Sequence, residues 1–175
     1  SLTMTQGNID VSTYTITLGT GTGNTGTLTH TTGTIIGQFE RWVNSTGADI
    51  LYPVGTASNE NFATINFTAL TGGSLIMAFD PTNPGSSGLP ISESGYTVSD
   101  QFTEGFWDLT AANGMASTDF NIDLIANGFS SYTITPTTRI IKRTNGGDWG
   151  FDGTHVNASA PTVYRDNLTG GISTS

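Results

Sequence analysis

Short runs in which every second side chain is apolar recur along the whole chain, and a Gly, Pro or Asn interrupts each of them. A period of two belongs to a strand with one buried face; an amphipathic helix would need apolar residues every three to four positions. The residues between the apolar ones reinforce this. Twenty-three of the 175 residues are Gly, and Thr is abundant. Gly and β-branched Thr both lower helix propensity and suit strands joined by tight turns. The chain therefore reads as all-β. The sole place where a turn of helix is conceivable lies near Asp100-Gln101-Phe102.

The first forty residues add a repeat. Gly7-Asn8-Ile9 returns as Gly26-Thr27-Leu28, and Thr13, Thr15 and Ile16 return as Thr32, Thr34 and Ile35, all at an offset of nineteen. Alternating pairs (Leu2/Met4, Ile9/Val11, Ile16/Leu18) start seven positions apart. Two-sided strands at such a period predict a short β-solenoid, or β-helix-like, segment. Two coils are fewer than the three or so repeats a solenoid needs to stand alone. The segment is expected to lean on the rest of the chain, giving a solenoid segment over residues 1–38 and a β-sandwich domain over 39–175. Thr13 and Thr15 over Thr32 and Thr34 would form a rank able to order water, although two coils are few for ice binding. Gly19-Thr20-Gly21-Thr22-Gly23 lacks the Lys of a phosphate loop and suits solenoid turns better.

Beyond the repeat, Ile35–Val43 reads as a strand entering the sandwich, with Phe39 and Arg41 on one face, Glu40 and Trp42 on the other, and Trp42 as core. Ile50–Gly55, Ala63–Thr68 and Ser74–Phe79 come next, with Thr71-Gly72-Gly73 as a hairpin signal. Asp80 to about Gly95 reads as a long polar loop, a length that is usually functional or mobile. Phe106–Leu109, Asp119–Leu124, Ser131–Ile134, Thr162–Arg165 and Ile172-Ser173 read as further strands, and Arg139–Arg143 with Trp149 as a hairpin around Asn145-Gly146-Gly147. Strands at this spacing predict an antiparallel β-sandwich.

Charge narrows the function classes. Fourteen acidic residues face five basic ones, for a net charge of −9. Nucleic acid and anionic membrane surfaces need a basic footprint that this chain lacks. There is no Cys, hence no disulfide and no thiolate metal site. No apolar run approaches the ~18 residues of a membrane helix. The chain opens inside its repeat without a signal peptide, and is expected to be a fragment of a longer protein.

The ordered series Gly33 to Trp42, Tyr52-Pro53-Val54-Gly55, Ala63 to Phe67 and Asn83 to Pro90 continues with Phe106-Trp107, Gly128-Phe129 and Arg139 to Arg143. Trp149 and Gly153-Thr154-His155 complete it. This pattern of turns and core residues resembles a domain of very large secreted proteins of Bacteroidetes, the cargo of the type IX secretion system. The resemblance implies extracellular, cell-surface display and an adhesin-like role, with neighbouring domains of the same long protein, glycans or other surface proteins as partners. It brings no catalytic signature.

The chemical candidates come from residue type. Asn145, Asp148 and Asp152, together with Asp80, offer hard oxygen ligands in Gly-rich loops, so structural calcium is the one cofactor considered. Neither loop fits the calcium loop of an EF-hand, and ordinary turns call for the same residues. Trp149 and Trp107 are candidates for stacking on sugar rings, as in a carbohydrate-binding module. Asp100, Glu104 and Asp108 lie four apart beside Phe102, Phe106 and Trp107, a weak glycosidase pattern with no defined carboxylate pair. His30 and His155 are isolated. The expected function is a non-enzymatic structural or adhesive domain, with a carbohydrate-binding module second and a glycoside-active enzyme third.

Overall fold

The computed structural model describes residues 1–172 and is all-β, with thirteen strands and no helix among the described residues. In chain order these are β1 (Leu2–Met4), β2 (Ile9–Leu18), β3 (Leu28–His30), β4 (Ile35–Val43), β5 (Asp49–Tyr52), β6 (Ala63–Thr71) and β7 (Gly73–Asp80). They continue with β8 (Ile91–Glu93), β9 (Tyr96–Val98), β10 (Phe106–Ala112), β11 (Ala116–Ile125), β12 (Thr154–Ser159) and β13 (Thr162–Leu168). A four-stranded sheet runs β10-β7-β4-β2, a five-stranded sheet runs β12-β13-β11-β6-β5, and β1-β3 and β8-β9 form two small ladders. None of these sheets closes on itself.

The alternation read from the sequence sets the buried faces. Phe39, Leu75 and Met77 of the smaller sheet and Tyr52, Ile65 and Phe67 of the larger one are fully buried in one shared core. Each such side chain contributes about 1.5–3 kcal/mol by leaving water. Phe39 meets Tyr52 edge-on across the sheets at 5.8 Å. Arg41, on the same side of β4 as Phe39, donates to the Leu51 carbonyl at 2.6 Å. Trp42 is not core. It lies on the opposite side of β4 with Glu40 and is only half-buried, because the smaller sheet is covered by the second sheet on one face alone.

Thr71-Gly72-Gly73 is not a hairpin. β6 pairs with β5 and β11 whereas β7 pairs with β4 and β10, so the chain switches sheets at Gly72. The link from β10 to β11 switches sheets beside it, and a Cβ on Gly73 would lie 2.3 Å from the Met115 amide nitrogen. Ser131–Ile134 forms no strand, and Arg139–Trp149 keeps only one bridge, with Lys142 and Gly150 exchanging two backbone hydrogen bonds of 2.9 Å. Ile172 is not in a strand, and Ser173 lies outside the described residues. The long loop after Asp80 contains the β8-β9 hairpin, and β12 adds an edge strand that the sequence did not announce.

The first forty residues do stack in parallel, but not at the offset of nineteen. Leu2 lies opposite Leu28 and Ile9 opposite Ile35, an offset of 26. Nineteen appears one level further in, where Ile35 bridges Val54. Between Asp10 and Thr15 the register shifts, so that Ile16 lies opposite Phe39. Thr13 and Thr15 therefore do not rank over Thr32 and Thr34; the Thr15 hydroxyl donates instead to Gln38 at 2.7 Å. Asn8 ties three levels together, accepting from the Thr34 amide at 2.9 Å and donating to the Ala57 carbonyl at 3.2 Å. β4 straddles residue 38 and carries β2 into the four-stranded sheet, so hydrogen bonding is continuous from residue 9 to the core.

Candidate functional site

The two large sheets are offset. β4 faces β5 through Phe39 and Tyr52, and the ladder order leaves β13 and β12 beyond the last strand of the smaller sheet. The overhanging inner face of β11 and β13 is roofed instead by residues 97–102 and 129–149, which have almost no ladder of their own. The result is a cavity of about 910 Å³. Phe120, Ile122 and Leu124 form its floor, with Val163 and Leu168 beside them; Trp107 and Leu109 of β10 form one wall. Phe102, Phe129, Ile134, Ile140 and Trp149 close it from the loops.

The roof is tied down by charge. Glu93 of the β8-β9 hairpin receives Arg165 at 2.5 Å and Arg139 at 3.1 Å. The Arg165 side chain is 1% exposed and also donates to the Gly153 carbonyl at 3.1 Å and to that of Asp152. Hydrogen bonds from Arg165 hold the Glu93 carboxyl below its ordinary range, against the opposing push of burial. Arg139 also lies over the Tyr96 ring, 4.4 Å from its centroid.

A second tie joins residues 104 and 130–131. Glu104 accepts from the Ser130 amide at 2.7 Å and the Ser131 amide at 2.5 Å. Burial pushes this carboxyl up, but donors from Ser131 and Ser130 outweigh it and bring it down to about 2. The folded value lies below the unfolded one, so the stabilisation is present above pH ~4.5 and is lost as pH falls toward 2. Wild type is therefore expected to lose stability more steeply over that window than Glu104→Gln, in thermal melts taken at several pH values; parallel curves would contradict the tie.

The residues singled out by type divide between this cavity and the surface. Trp107 and Trp149 both line the cavity. Trp107 donates its indole N–H to the Asn61 carbonyl at 2.7 Å and packs against Phe79 and Phe129. Trp149 donates to the Gly85 carbonyl at 2.7 Å, and the Arg143 guanidinium lies 4.4 Å from its ring centroid. Asp152 accepts from Lys142 at 2.9 Å and from the amides of Thr169 and Gly170. Asp148 accepts from the Ser87 hydroxyl at 2.5 Å, Asp80 from the Thr82 amide at 2.9 Å, and Asn145 is exposed at a turn. No three acidic or histidine side chains gather at metal-binding distance among the described residues. Asp100 accepts from the Tyr132 hydroxyl at 2.5 Å, and Asp108 is exposed on β10; both border the cavity.

The placement of the run Arg139 to Arg143 against this cavity does not follow from the sequence pattern. Its one signal is composition, since the run holds three of only five basic residues in the chain. No known protein family, curated protein or solved structure matches the chain. No helix is long and apolar enough to cross a membrane among the described residues.

Proposed function

We propose that the chain is a structural and adhesive section of a large extracellular bacterial surface protein, in which a stack of parallel β-ranks is closed by a β-sandwich. One observation carries this: apart from Leu18, the apolar side chains of β2 are less covered than those opposite them on β4. Ile35 and Phe39 of β4 are fully buried, whereas Ile9 and Ile16, opposite them on β2, are only half-buried. β2 is also an edge strand, with no strand on its outer side among the described residues, so backbone donors and acceptors face outward there. A further rank of the same kind would cover the half-buried side chains and satisfy those groups, as in stacked-repeat proteins where each unit buries its neighbour. The acidic, Lys-poor composition and the resemblance to surface-displayed proteins agree with such a role.

The occupant of the edge is a further rank with the 26-residue spacing seen between β1/β2 and β3/β4. Placing a second copy of residues 2–27 ahead of residue 2 tests it. The added rank is expected to slow exchange of the outward β2 amides and to raise the melting temperature, by about 2–4 °C for each ~1 kcal/mol gained. An added segment that exchanges like free peptide, with the melting temperature unchanged, would refute the stacking role.

A further inference from the structure

The roofed cavity is independent of the stacking edge and lies at the opposite flank of the sheets. Its volume of about 910 Å³ falls within the roughly 300–1,000 Å³ range of small-molecule sites. Water against Phe120, Ile122 and Leu124 finds few partners, so an apolar body that displaces it is favoured.

Charge selects the head group. Arg139, Lys142 and Arg143 line the cavity in a chain with a net charge of −9. Arg139 is engaged by Glu93 and Lys142 by Asp152. Arg143 has no salt-bridge partner among the described residues, and its guanidinium rests on Trp149. A guanidinium stacked on a ring keeps its in-plane N–H donors free for two-point binding of a carboxylate. Asp100 and Asp108 also border the cavity; Asp100 is occupied by Tyr132, and Asp108 is exposed on β10.

We propose that this cavity binds an amphipathic monocarboxylate of fatty-acid type, its tail lying between β10 and the β11–β13 face and its carboxylate on Arg143.

Titration of the full chain with dodecanoate below its micelle concentration, read by tryptophan fluorescence and calorimetry, tests this. Dodecanol and dodecyltrimethylammonium serve as head-group controls. Dodecanoate is expected to bind one to one, and dodecanol about tenfold more weakly, the usual worth of a charged hydrogen bond. Arg143→Gln should reduce dodecanoate to the affinity of dodecanol while leaving dodecanol unchanged. A spin-labelled fatty acid should broaden the methyl signals of Ile122 and Leu124 in the wild type. Absence of dodecanoate binding to the folded wild type overturns the proposal. Equal binding of acid and alcohol with no effect of Arg143→Gln does so too, as does broadening confined to other parts of the fold.

Discussion

Replacing Glu93 by Gln is expected to cost about 3 kcal/mol or more of folding stability, because it strands two buried cations. Arg165 and Arg139 have side chains only 1% and 3% exposed, and Glu93 is the carboxylate that meets both. The pair is not needed as a source of net stability, since desolvation offsets much of the attraction. Breaking it is another matter, as the uncompensated charges stay out of water. Urea unfolding should show the loss, and hydrogen exchange should show the β8-β9 hairpin opening first. A loss below ~1 kcal/mol would mean that the arginines reach solvent or other acceptors, and that the roof is held by its apolar contacts.

Gly33→Ala is expected to cost about 3 kcal/mol, whereas Gly7→Ala should cost only about 1–2 kcal/mol. Both glycines have positive φ, +96° and +78°. A Cβ at Gly7 would meet nothing within 4 Å, but one at Gly33 would sit 1.8 Å from the Gly7 carbonyl oxygen. Gly7 therefore carries only the cost of a left-handed backbone, while Gly33 adds a collision between the ranks. The ranks must part locally, so exchange at the Ile9 amide, bonded to the Thr34 carbonyl at 2.9 Å, should accelerate in Gly33→Ala and much less in Gly7→Ala. Equal losses in both variants would show that the close approach of the ranks is not what makes Gly33 necessary.

Much of the local structure was legible. β4, β6, β7, β10, β11 and β13 fall on runs where apolar residues alternate, and the burial of Phe39, Ile65, Phe67, Leu75 and Met77 follows the same alternation. Strand existence depends on side-chain period, which is a local property. Pairing does not. Thr71-Gly72-Gly73 has the composition of a hairpin turn, yet Gly73 serves to let the chain cross between sheets against Met115. The repeat offers the same lesson: several offsets match its Thr and Gly positions, and the 26-residue one is selected by Asn8, Gly7 and Gly33 meeting across the ranks.

The candidate site was less legible. Trp107 and Trp149 stand out by residue type as sugar-stacking candidates, but that both line one cavity, with their indole N–H groups bonded to the Asn61 and Gly85 carbonyls, follows only from the fold. Glu93 carried no signal at all, lying in a polar loop far along the chain from its partner Arg165. By itself the sequence determined the strand class, the alternation of faces and the acidic surface, because these depend on propensity and charge along a short stretch of chain. Tertiary structure alone decided which strands pair, how far one sheet overhangs the other, and that the basic run Arg139 to Arg143 lies against the overhanging face. Those outcomes depend on contacts between residues tens of positions apart, where many pairings satisfy the same local pattern and only close packing separates them.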